Sequence, residues 1–163
     1  MRGNRKKSIP YIKFLEDEDD PYRVELEDGS YCTECGISYI NKNWKLNALE
    51  KYKKKAIICP ACKKIKENYY LGILELKGSF LQEHKEEIRN ILKNEEERQR
   101  AKNALPRIGK IEETEDGKLI VYTTSVRLAY RLGKAVYNAC KGDLTIKWSD
   151  GEHFTRVYWN RDI

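Results

Sequence analysis

Three features of the sequence predict an α+β fold in two unequal parts. Two C-x2-C cysteine pairs lie in the first half of the chain, and strand and helix patterns alternate from Tyr69 onward. Two Asp-Gly dipeptides, at 116–117 and 150–151, each separate two strand-like runs, which is typical of hairpins. These features divide the 163 residues into a flexible charged tail (1–22), a cysteine-bearing module (23–68) and an α/β domain (69–163).

The cysteine-bearing module has the spacing of a metal site, because 23 residues separate its two C-x2-C pairs. Gly36 and Pro60 lie where the backbone must bend tightly around the sulfurs. Four thiols arranged in this way suit one tetrahedral zinc ion, and such a closed site leaves no position for substrate or water. We therefore predict a zinc ribbon with one structural Zn²⁺. The predicted ligands are Cys32, Cys35, Cys59 and Cys62.

The same cysteine pairs leave two alternatives open. The first pair, followed by Gly36 and Tyr39, and the second pair with Pro60 inside it also resemble rubredoxin, in which four cysteines hold iron for electron transfer. Rubredoxin normally has glycine after its last cysteine, where this chain has Lys63. A disulfide pair or redox switch is the other alternative. Cys140, on the apolar side of a predicted helix, is expected to be a small buried hydrophobe.

Composition sets the class of protein. A chain of this length can build one ordinary core and one small module that depends on a metal for stability. No apolar run approaches 18 residues, and the charged start is not followed by a hydrophobic stretch, so we expect a cytoplasmic protein without a membrane span or signal peptide. The net charge of +6 is modest beside 36% charged residues, so the distribution of charge is more informative than its total.

Positive charge is concentrated in the ribbon. From Asn41 to Lys66 nine lysines face a single acid, Glu50, whereas residues 16–28 hold eight acids and one arginine. Trp44 and several tyrosines lie among these lysines, and rings interleaved with cations are typical of RNA-binding surfaces. We expect Trp44 to be a core residue and some of the tyrosines to be exposed. The ribbon residues predicted to contact RNA are Lys42, Lys45, Lys51, Lys53, Lys54, Lys55, Lys63 and Lys64.

The first half of the α/β domain combines a strand, a helix and a hairpin. Residues 69–76 form a run of aromatic and branched side chains that predicts a strand. Ser79 and Gln82 form a capping box for a helix that runs to about Arg100, with charges of both signs on its outer face. Strands follow at 108–114 and 118–124, joined at the Asp-Gly turn.

A second helix and a second hairpin complete the domain. Thr124 or Ser125 caps a helix that runs to about Lys141, and Gly142 is placed to end it in a left-handed conformation. Strands at 144–148 and 154–159 flank the second Asp-Gly turn. The order matches the ferredoxin-like βαββαβ arrangement with one strand added, written βαββαβ(β), with two helices on one face of a mainly antiparallel sheet.

The second helix carries a basic stripe opposite its apolar face. Basic residues and one asparagine recur at spacings of four and three, two tyrosines border them, and no acid occurs from Gly117 to Gly142. Such a stripe is typical of a surface that contacts phosphates, although an ordinary solvated face is the alternative. The residues predicted to contact RNA here are Arg127, Tyr130, Arg131, Lys134, Tyr137 and Lys141.

Nothing in the sequence predicts catalysis. His84 and His153 have no spacing to a cysteine or carboxylate that defines a triad or a catalytic metal site. The chain has neither the G-x-x-x-x-G-K-[ST] nor the G-x-G-x-x-G motif, so we expect no enzyme activity and no small-molecule substrate. Trp148 and Trp159 are predicted to pack in the core.

Three segments after the ribbon resemble the Nmd-three family of large-ribosomal-subunit export adaptors, and most closely its short prokaryotic relatives. The segments are Gly72–Leu76, Gly78–Leu81 and Ile111–Ser125. The distinctive parts are the cysteine pairs and the acid-Gly turn that leads through a strand to the Thr-Ser helix cap. Longer members have more C-x2-C pairs and further domains, so docking surfaces built from those parts are not transferred.

The resemblance implies a protein that binds ribosomal or other structured RNA, or a ribonucleoprotein. It agrees with the basic ribbon and the basic helix, so the predicted function is that of a non-enzymatic, zinc-stabilised RNA-binding protein. Two alternatives remain: a rubredoxin-like iron electron carrier, and a zinc-ribbon adaptor whose ribbon and edge strand hold an acidic protein.

Overall fold

The structure, a computed structural model, describes residue 22, residues 25–148 and residues 154–163. The predicted tail therefore lies almost entirely outside the described residues, as do the acidic run at 16–20, His153 and the turn predicted at 149–152. The described chain is α+β and contains two separate sheets.

The first sheet belongs to the cysteine-bearing module and is made of short strands. Its four strands have three residues each, and their order is β3-β2-β1-β4 with β4 parallel to β1. A short 3-10 turn, Glu50–Tyr52, precedes the last strand. The elements are β1 (Ser30–Cys32), β2 (Ser38–Ile40), β3 (Asn43–Lys45), β4 (Lys55–Ile57) and the helix α1 (Pro60–Lys66).

The second sheet has five longer strands in the order β6-β7-β5-β9-β8, and its helices include α4, which packs on β5, β7, β8 and β9. The strands are β5 (Gly72–Lys77), β6 (Ile108–Glu113), β7 (Leu119–Thr123), β8 (Asp143–Trp148) and β9 (Thr155–Asn160). The helices are α2 (Ser79–Glu83), α3 (Lys85–Lys102) and α4 (Val126–Cys140).

The strand order differs from that of a simple ferredoxin-like sheet in the last two strands of the chain, β8 and β9. The predicted hairpin of β8 and β9 forms, but β9 lies beside β5 and runs parallel to it, which leaves β8 at the edge. Burial explains this placement. Val157 and Trp159 of β9 are fully buried, which suits a central strand, whereas the polar side chains that alternate along β8 suit an edge.

The single helix predicted from Ser79 is broken, and its capping box does not form. His84 lies between α2 and α3 with φ −126° and ψ 30°, and the residue that caps α2 is Gly78. The Ser79 hydroxyl instead accepts the N–H of Ile163, and the Gln82 amide donates to the carbonyl of Gly117. Hydrogen bonds to the end of the chain and to the β6–β7 turn therefore take the place of the predicted capping box.

The second predicted helix is confirmed at both ends. The Ser125 hydroxyl accepts the backbone N–H of Leu128, as an N-cap does. Lys141 and Gly142 follow the helix with φ of +60° and +96°, and this left-handed backbone is the reason a glycine is placed there.

The core of the second half lies between its helices and one face of the five-stranded sheet. Cys140 is buried there, as predicted. Trp159 is also buried and donates its indole N–H to the Lys141 carbonyl. Trp148 was wrongly predicted to pack, because 46% of it is exposed at the last residue of the edge strand β8.

The ribbon has a smaller core that the second half helps to complete. Ile37 and Trp44 are buried in it, which confirms the prediction for Trp44, and Ala104 from the segment after α3 is fully buried against them. Two hydrogen bonds hold this junction: the Ala104 N–H donates to the Trp44 carbonyl, and the Asn43 amide donates to the Lys102 carbonyl. The end of α3 therefore rests against β3.

Candidate metal centre and basic groove

The four predicted ligand sulfurs converge at one point. Cys32 and Cys35 bracket the turn that leaves β1, where Gly36 has φ +84°. Cys59 is the N-cap of α1, Pro60 is its first residue, and Cys62 lies in its first turn. The sulfur atoms of all four cysteines lie within 4.8 Å of one another. The fold has therefore brought together two pairs that are distant in sequence.

The distances between the sulfurs fit a tetrahedral metal site. The Sγ atoms of Cys32 and Cys62 are 3.8 Å apart, as are those of Cys35 and Cys59. A tetrahedron with metal–sulfur bonds of about 2.3 Å has sulfur–sulfur edges of about 3.8 Å. A disulfide needs about 2.05 Å, so these pairs are not bonded. The residues present fit one ion held by four thiolates, without an open coordination position.

Backbone amides and a buried arginine surround the sulfurs. The N–H of Cys59 donates to Cys32 Sγ at 3.2 Å, and the N–H of Cys62 donates to Cys59 Sγ at 3.4 Å. Arg107, only 8% exposed, points its two terminal nitrogens at Cys62 and Cys59, each 3.7 Å from the sulfur. Such donors stabilise the charge of thiolate ligands and fix their orientation.

Arg107 was missed by the sequence analysis, because a lone arginine after Pro106 carries no local signal of a metal site. Its backbone belongs to the other module: its N–H donates to the Thr124 hydroxyl, and its carbonyl accepts the N–H of Thr124. Its side chain reaches across to the sulfurs, with Nε donating to the Leu105 carbonyl. This residue therefore connects the metal centre to the five-stranded sheet.

Hydrogen bonding between the sulfurs shifts the pKa values of Cys35 and Cys59 in opposite directions. The hydrogen bond with Cys59 lowers the pKa of Cys35, and Ile37 N–H and Arg107 lower it further against the effect of burial. The same hydrogen bond, together with burial, raises the pKa of Cys59. Burial raises the pKa of Cys62 to about 11. A bound cation must therefore displace protons from neighbouring thiols, so metal binding depends on pH.

Most of the predicted ribbon lysines are exposed. Two of them lie beside acids: Lys53, which is half-buried, is 3.1 Å from Glu50, and Lys55 is 3.8 Å from Glu27. Lys51 lies over the exposed ring of Tyr52 at 5.2 Å. The exposed members of the predicted set are Lys42, Lys45, Lys51, Lys54, Lys55 and Lys63.

Lys64 does not belong to this exposed surface. It is only 4% exposed, and its ammonium donates to the Thr124 carbonyl at 3.2 Å. Lys64 therefore lies at the junction of the two modules and not among the exposed lysines, and its contact with RNA stays a prediction. The lysine run at 63–66 falls on one turn of α1, and the helical rotation directs this one side chain into the junction with the other module.

Part of the basic stripe of α4 lines a groove between α3 and α4. Tyr130, Arg131 and Lys134 line this groove, whereas Arg127, Tyr137 and Lys141 do not. Arg127, Arg131, Lys134 and Lys141 are exposed, and Tyr130 and Tyr137 are half-buried. The groove has a volume of about 780 Å³, and α3 adds two cations to it that were not predicted to contact RNA. We call it the basic groove, and its cationic members are Arg98, Lys102, Arg131 and Lys134.

One acid lies in the basic groove, and its charge is already neutralised. Glu95 is 6% exposed, 2.9 Å from Arg98, and accepts from the Gln99 amide at 2.6 Å. A smaller depression of about 200 Å³ adjoins the groove and is shared by the ribbon, the end of α3 and α4. Lys102, Arg127 and Arg131 line it beside Lys64. The cations of α4 thus meet the ribbon at the junction of the two modules.

The side chain of His84 contacts neighbouring residues of its own helical segment. Its ring stacks on Phe80 at 3.9 Å between centroids, and its Nδ1 lies 3.1 Å from a Glu87 carboxylate oxygen.

In the part of the chain that the structure describes, no helix is both long and apolar enough to cross a membrane.

The fold and the site define an α+β protein with a four-cysteine metal site. No protein-family model matches the chain, and no curated protein or solved structure shows significant similarity to it.

Proposed function

We propose that this protein is a non-enzymatic, zinc-stabilised RNA-binding protein that engages ribosomal RNA or another structured RNA. The observation that carries the proposal is the basic groove together with the adjoining depression. Cations from α3 and α4 line both spaces, and Glu95, an acid in the groove, pairs with Arg98. Phosphates are the ligands that such a surface attracts most strongly.

The groove suits recognition through charge and shape. Lysine and arginine neutralise phosphates wherever the backbone passes, so affinity falls steeply with salt and depends little on base sequence. The exposed ribbon lysines extend the positive surface beyond the junction. The resemblance to the Nmd-three family supports the same class of ligand, and we propose a relationship to the short prokaryotic members of that family.

The metal of this proposal is zinc, and its role is structural. The four thiols form a closed set of ligands, and zinc holds such sites without redox chemistry. Iron is less well suited, because Lys63 and Arg107 place two cations next to the cysteines. Metal analysis of protein purified without added metal should give one zinc per chain. One iron per chain, with visible colour that bleaches on reduction, would instead support an electron carrier.

A pair of matched lysine variants tests the groove. Lys134→Glu changes the groove by two charge units, while Lys93→Glu makes the same change at an exposed position of α3 that does not line it. We expect Lys134→Glu to weaken binding of a 16-base-pair RNA duplex by about tenfold and to lower the salt slope by about one. Lys93→Glu should bind like the parent. Equal affinities for all three proteins, measured by fluorescence anisotropy, would refute the assignment of the groove.

A further inference from the structure

The five-stranded sheet has a second face, opposite its core. Leu74, Val121 and Val157 point to the core side, where α4 packs. Side chains alternate along each strand, so the residues between these three project from the other face. None of the helices in residues 25–148 and 154–163 places its buried residues there.

One row of residues crosses all five strands on this second face. The strand register pairs Lys110 with Tyr122, Tyr122 with Ile73, Ile73 with Arg156, and Arg156 with Lys147. The row thus contains three cations, an aromatic ring and an aliphatic side chain, but no acid. We call this the cross-sheet row. Its members come from five separate segments of the chain, so no local motif predicts it.

The cross-sheet row contains a like-charge pair, in which Lys147 lies over the ring of Tyr158 and Arg156 over that of Phe154. Arg156 and Lys147 are directly opposite on neighbouring antiparallel strands, and both are exposed. Like charges in that position destabilise a sheet. Within the described residues neither side chain forms an ion pair. An anion bound between them would remove the repulsion.

Two tyrosines on this face are each accompanied by a lysine. Lys110 lies 4.7 Å from the ring centre of Tyr122, and Lys147 lies 5.5 Å from that of Tyr158. By the spacings of strands and residues, the two tyrosines are about 12 Å apart. That separation suits two bases of one RNA strand that are not neighbours in its sequence. The phosphates between these bases would then lie close to the cations. The tyrosines therefore offer two stacking positions on one positively charged surface.

The packing of Tyr122 is fixed by its neighbours. Tyr70 lies 5.4 Å from it, and the ring of Tyr70 covers Gly109, where any Cβ would come within 2.3 Å of that ring. The Tyr122 hydroxyl donates to Glu112 at 3.0 Å, and Glu112 also pairs with Lys110 at 3.2 Å. The ring is thus held in a defined orientation, which lowers the entropic cost of stacking a base on it.

The acids on this face are offset from the cross-sheet row. Glu75 pairs with Lys118 at 3.4 Å, and Glu112 is held by Lys110 and Tyr122. A depression of about 310 Å³ beside Tyr158 is lined by Lys77, Lys147 and Thr145, together with Glu75 and Asp143. Cations therefore outnumber acids across this surface.

We propose that this second face binds an unpaired segment of RNA, with bases stacked on Tyr122 and Tyr158 and phosphates bound by Arg156 and Lys147. The class of ligand rests on the proposed function, but the surface is separate from the basic groove. A sheet that presents aromatic rings and cations on its open face is a common way to bind single strands. The two surfaces together would hold an RNA that has both a duplex and an unpaired extension.

The experiment measures binding of a fluorescein-labelled ten-nucleotide oligouridylate and of a 16-base-pair RNA duplex. Tyr122→Leu combined with Tyr158→Leu should weaken binding of the oligouridylate by about 25-fold or more, or about fivefold for each lost stacking position. Binding of the duplex should change by less than about twofold. Trp148→Leu is the matched control, because it removes an exposed ring of β8 that alternates with Lys147 and therefore does not lie on the second face. Unchanged oligouridylate affinity in the folded double variant, or an equal loss in Trp148→Leu, would overturn the proposal.

A second variant keeps the test decisive if the tyrosine variant does not fold. Arg156→Gln with Lys147→Gln removes both cations of the like-charge pair and leaves the core unchanged. The slope of log K against log salt for oligouridylate should fall by about 1.4. The melting temperature should stay the same or rise, because a repulsion has been removed. A salt slope equal to that of the parent protein would contradict phosphate binding at this position.

The two proposals fail in different ways. Lys134→Glu should weaken binding of the duplex by about tenfold and leave the affinity for oligouridylate unchanged. A parent protein that binds duplex but not oligouridylate would overturn the second face and leave the basic groove intact. Binding of oligouridylate without duplex would support the second face and refute the groove as a site for structured RNA. Binding of neither RNA would refute both.

Discussion

The two sheets of this protein achieve their stability by different means. The ribbon sheet has three-residue strands, and two of the six buried residues that form its core are cysteines. The five-stranded sheet has strands of five or six residues and a core cluster of fourteen buried residues. The smaller module has little apolar core of its own and a cysteine cluster that can hold a metal, whereas the larger one depends on apolar burial.

The comparison also shows how the modules depend on each other. Ala104, from the segment between α3 and β6, completes the ribbon core, and Arg107 extends from the edge of the larger sheet to the sulfurs. Burial of Lys64 against the Thr124 carbonyl closes the junction from the ribbon side. The larger module thus supports the ribbon core at its junction, beside the four-cysteine cluster.

The largest effect should come from loss of the metal. Cys59→Ser removes one of four ligands, and structural zinc sites contribute on the order of 10 kcal/mol to folding. We expect zinc to be lost and the tryptophan emission to shift to the red as Trp44 becomes exposed, while far-ultraviolet circular dichroism retains the signal of α3 and α4. Acidification should release the metal as well, because protons compete for the thiolates.

Cys140→Ser is the matched control for this change. Cys140 is buried in the other core, so its replacement should leave one zinc per chain. A Cys59→Ser protein that retains stoichiometric zinc and the tryptophan emission of the parent would show that the ribbon does not depend on four thiolates.

The next largest effect should come from the apolar core. Leu132 is fully buried in α4, and Leu132→Ala should lower the free energy of unfolding of the larger module by about 2–5 kcal/mol. Urea denaturation followed by circular dichroism measures this loss. Leu49→Ala, at a leucine that is 59% exposed, should change the free energy by less than about 0.5 kcal/mol. Similar losses in both variants would contradict the assignment of the core.

The smallest effect should come from a change at Arg107, the residue that connects the two modules. Arg107→Met removes the guanidinium from Cys59 and Cys62 but retains apolar volume. Loss of such a partner typically reduces metal affinity by about 10- to 100-fold. Competition with a chromogenic chelator measures this reduction.

Arg107→Lys retains the charge but loses the two-nitrogen fork, so its metal affinity should lie between those of Arg107→Met and the parent. If the metal affinity of Arg107→Met equals that of the parent, the arginine serves only the packing of the junction.

Much of the site could be predicted from local sequence. The four ligands follow from cysteine spacing alone, because a C-x2-C turn presents two sulfurs on one side wherever it occurs. The Ser125 cap, the left-handed Gly142 and the hairpin between β6 and β7 follow from short-range backbone preferences, and the structure contains all three. Each of these features involves residues within a few positions of one another.

The remaining features depend on contacts between distant residues. The break at His84 reflects contacts of Ser79 and Gln82 with remote partners, and β9 takes the central position because its side chains bury more completely than those of β8. A lysine in a basic run has no local signal that it will be buried, as Lys64 is.

The sequence by itself determined the four clustered cysteines, the strands and helices of the larger module apart from the break at His84, and the basic stripe of α4, since periodicity and spacing are local properties. Only the tertiary structure brought Arg107 to the sulfurs, Arg98 and Lys102 to the basic groove, and five strands into the cross-sheet row. The physical reason is that strand order and the docking of modules are decided by the total burial of apolar surface, which no short segment of the chain encodes.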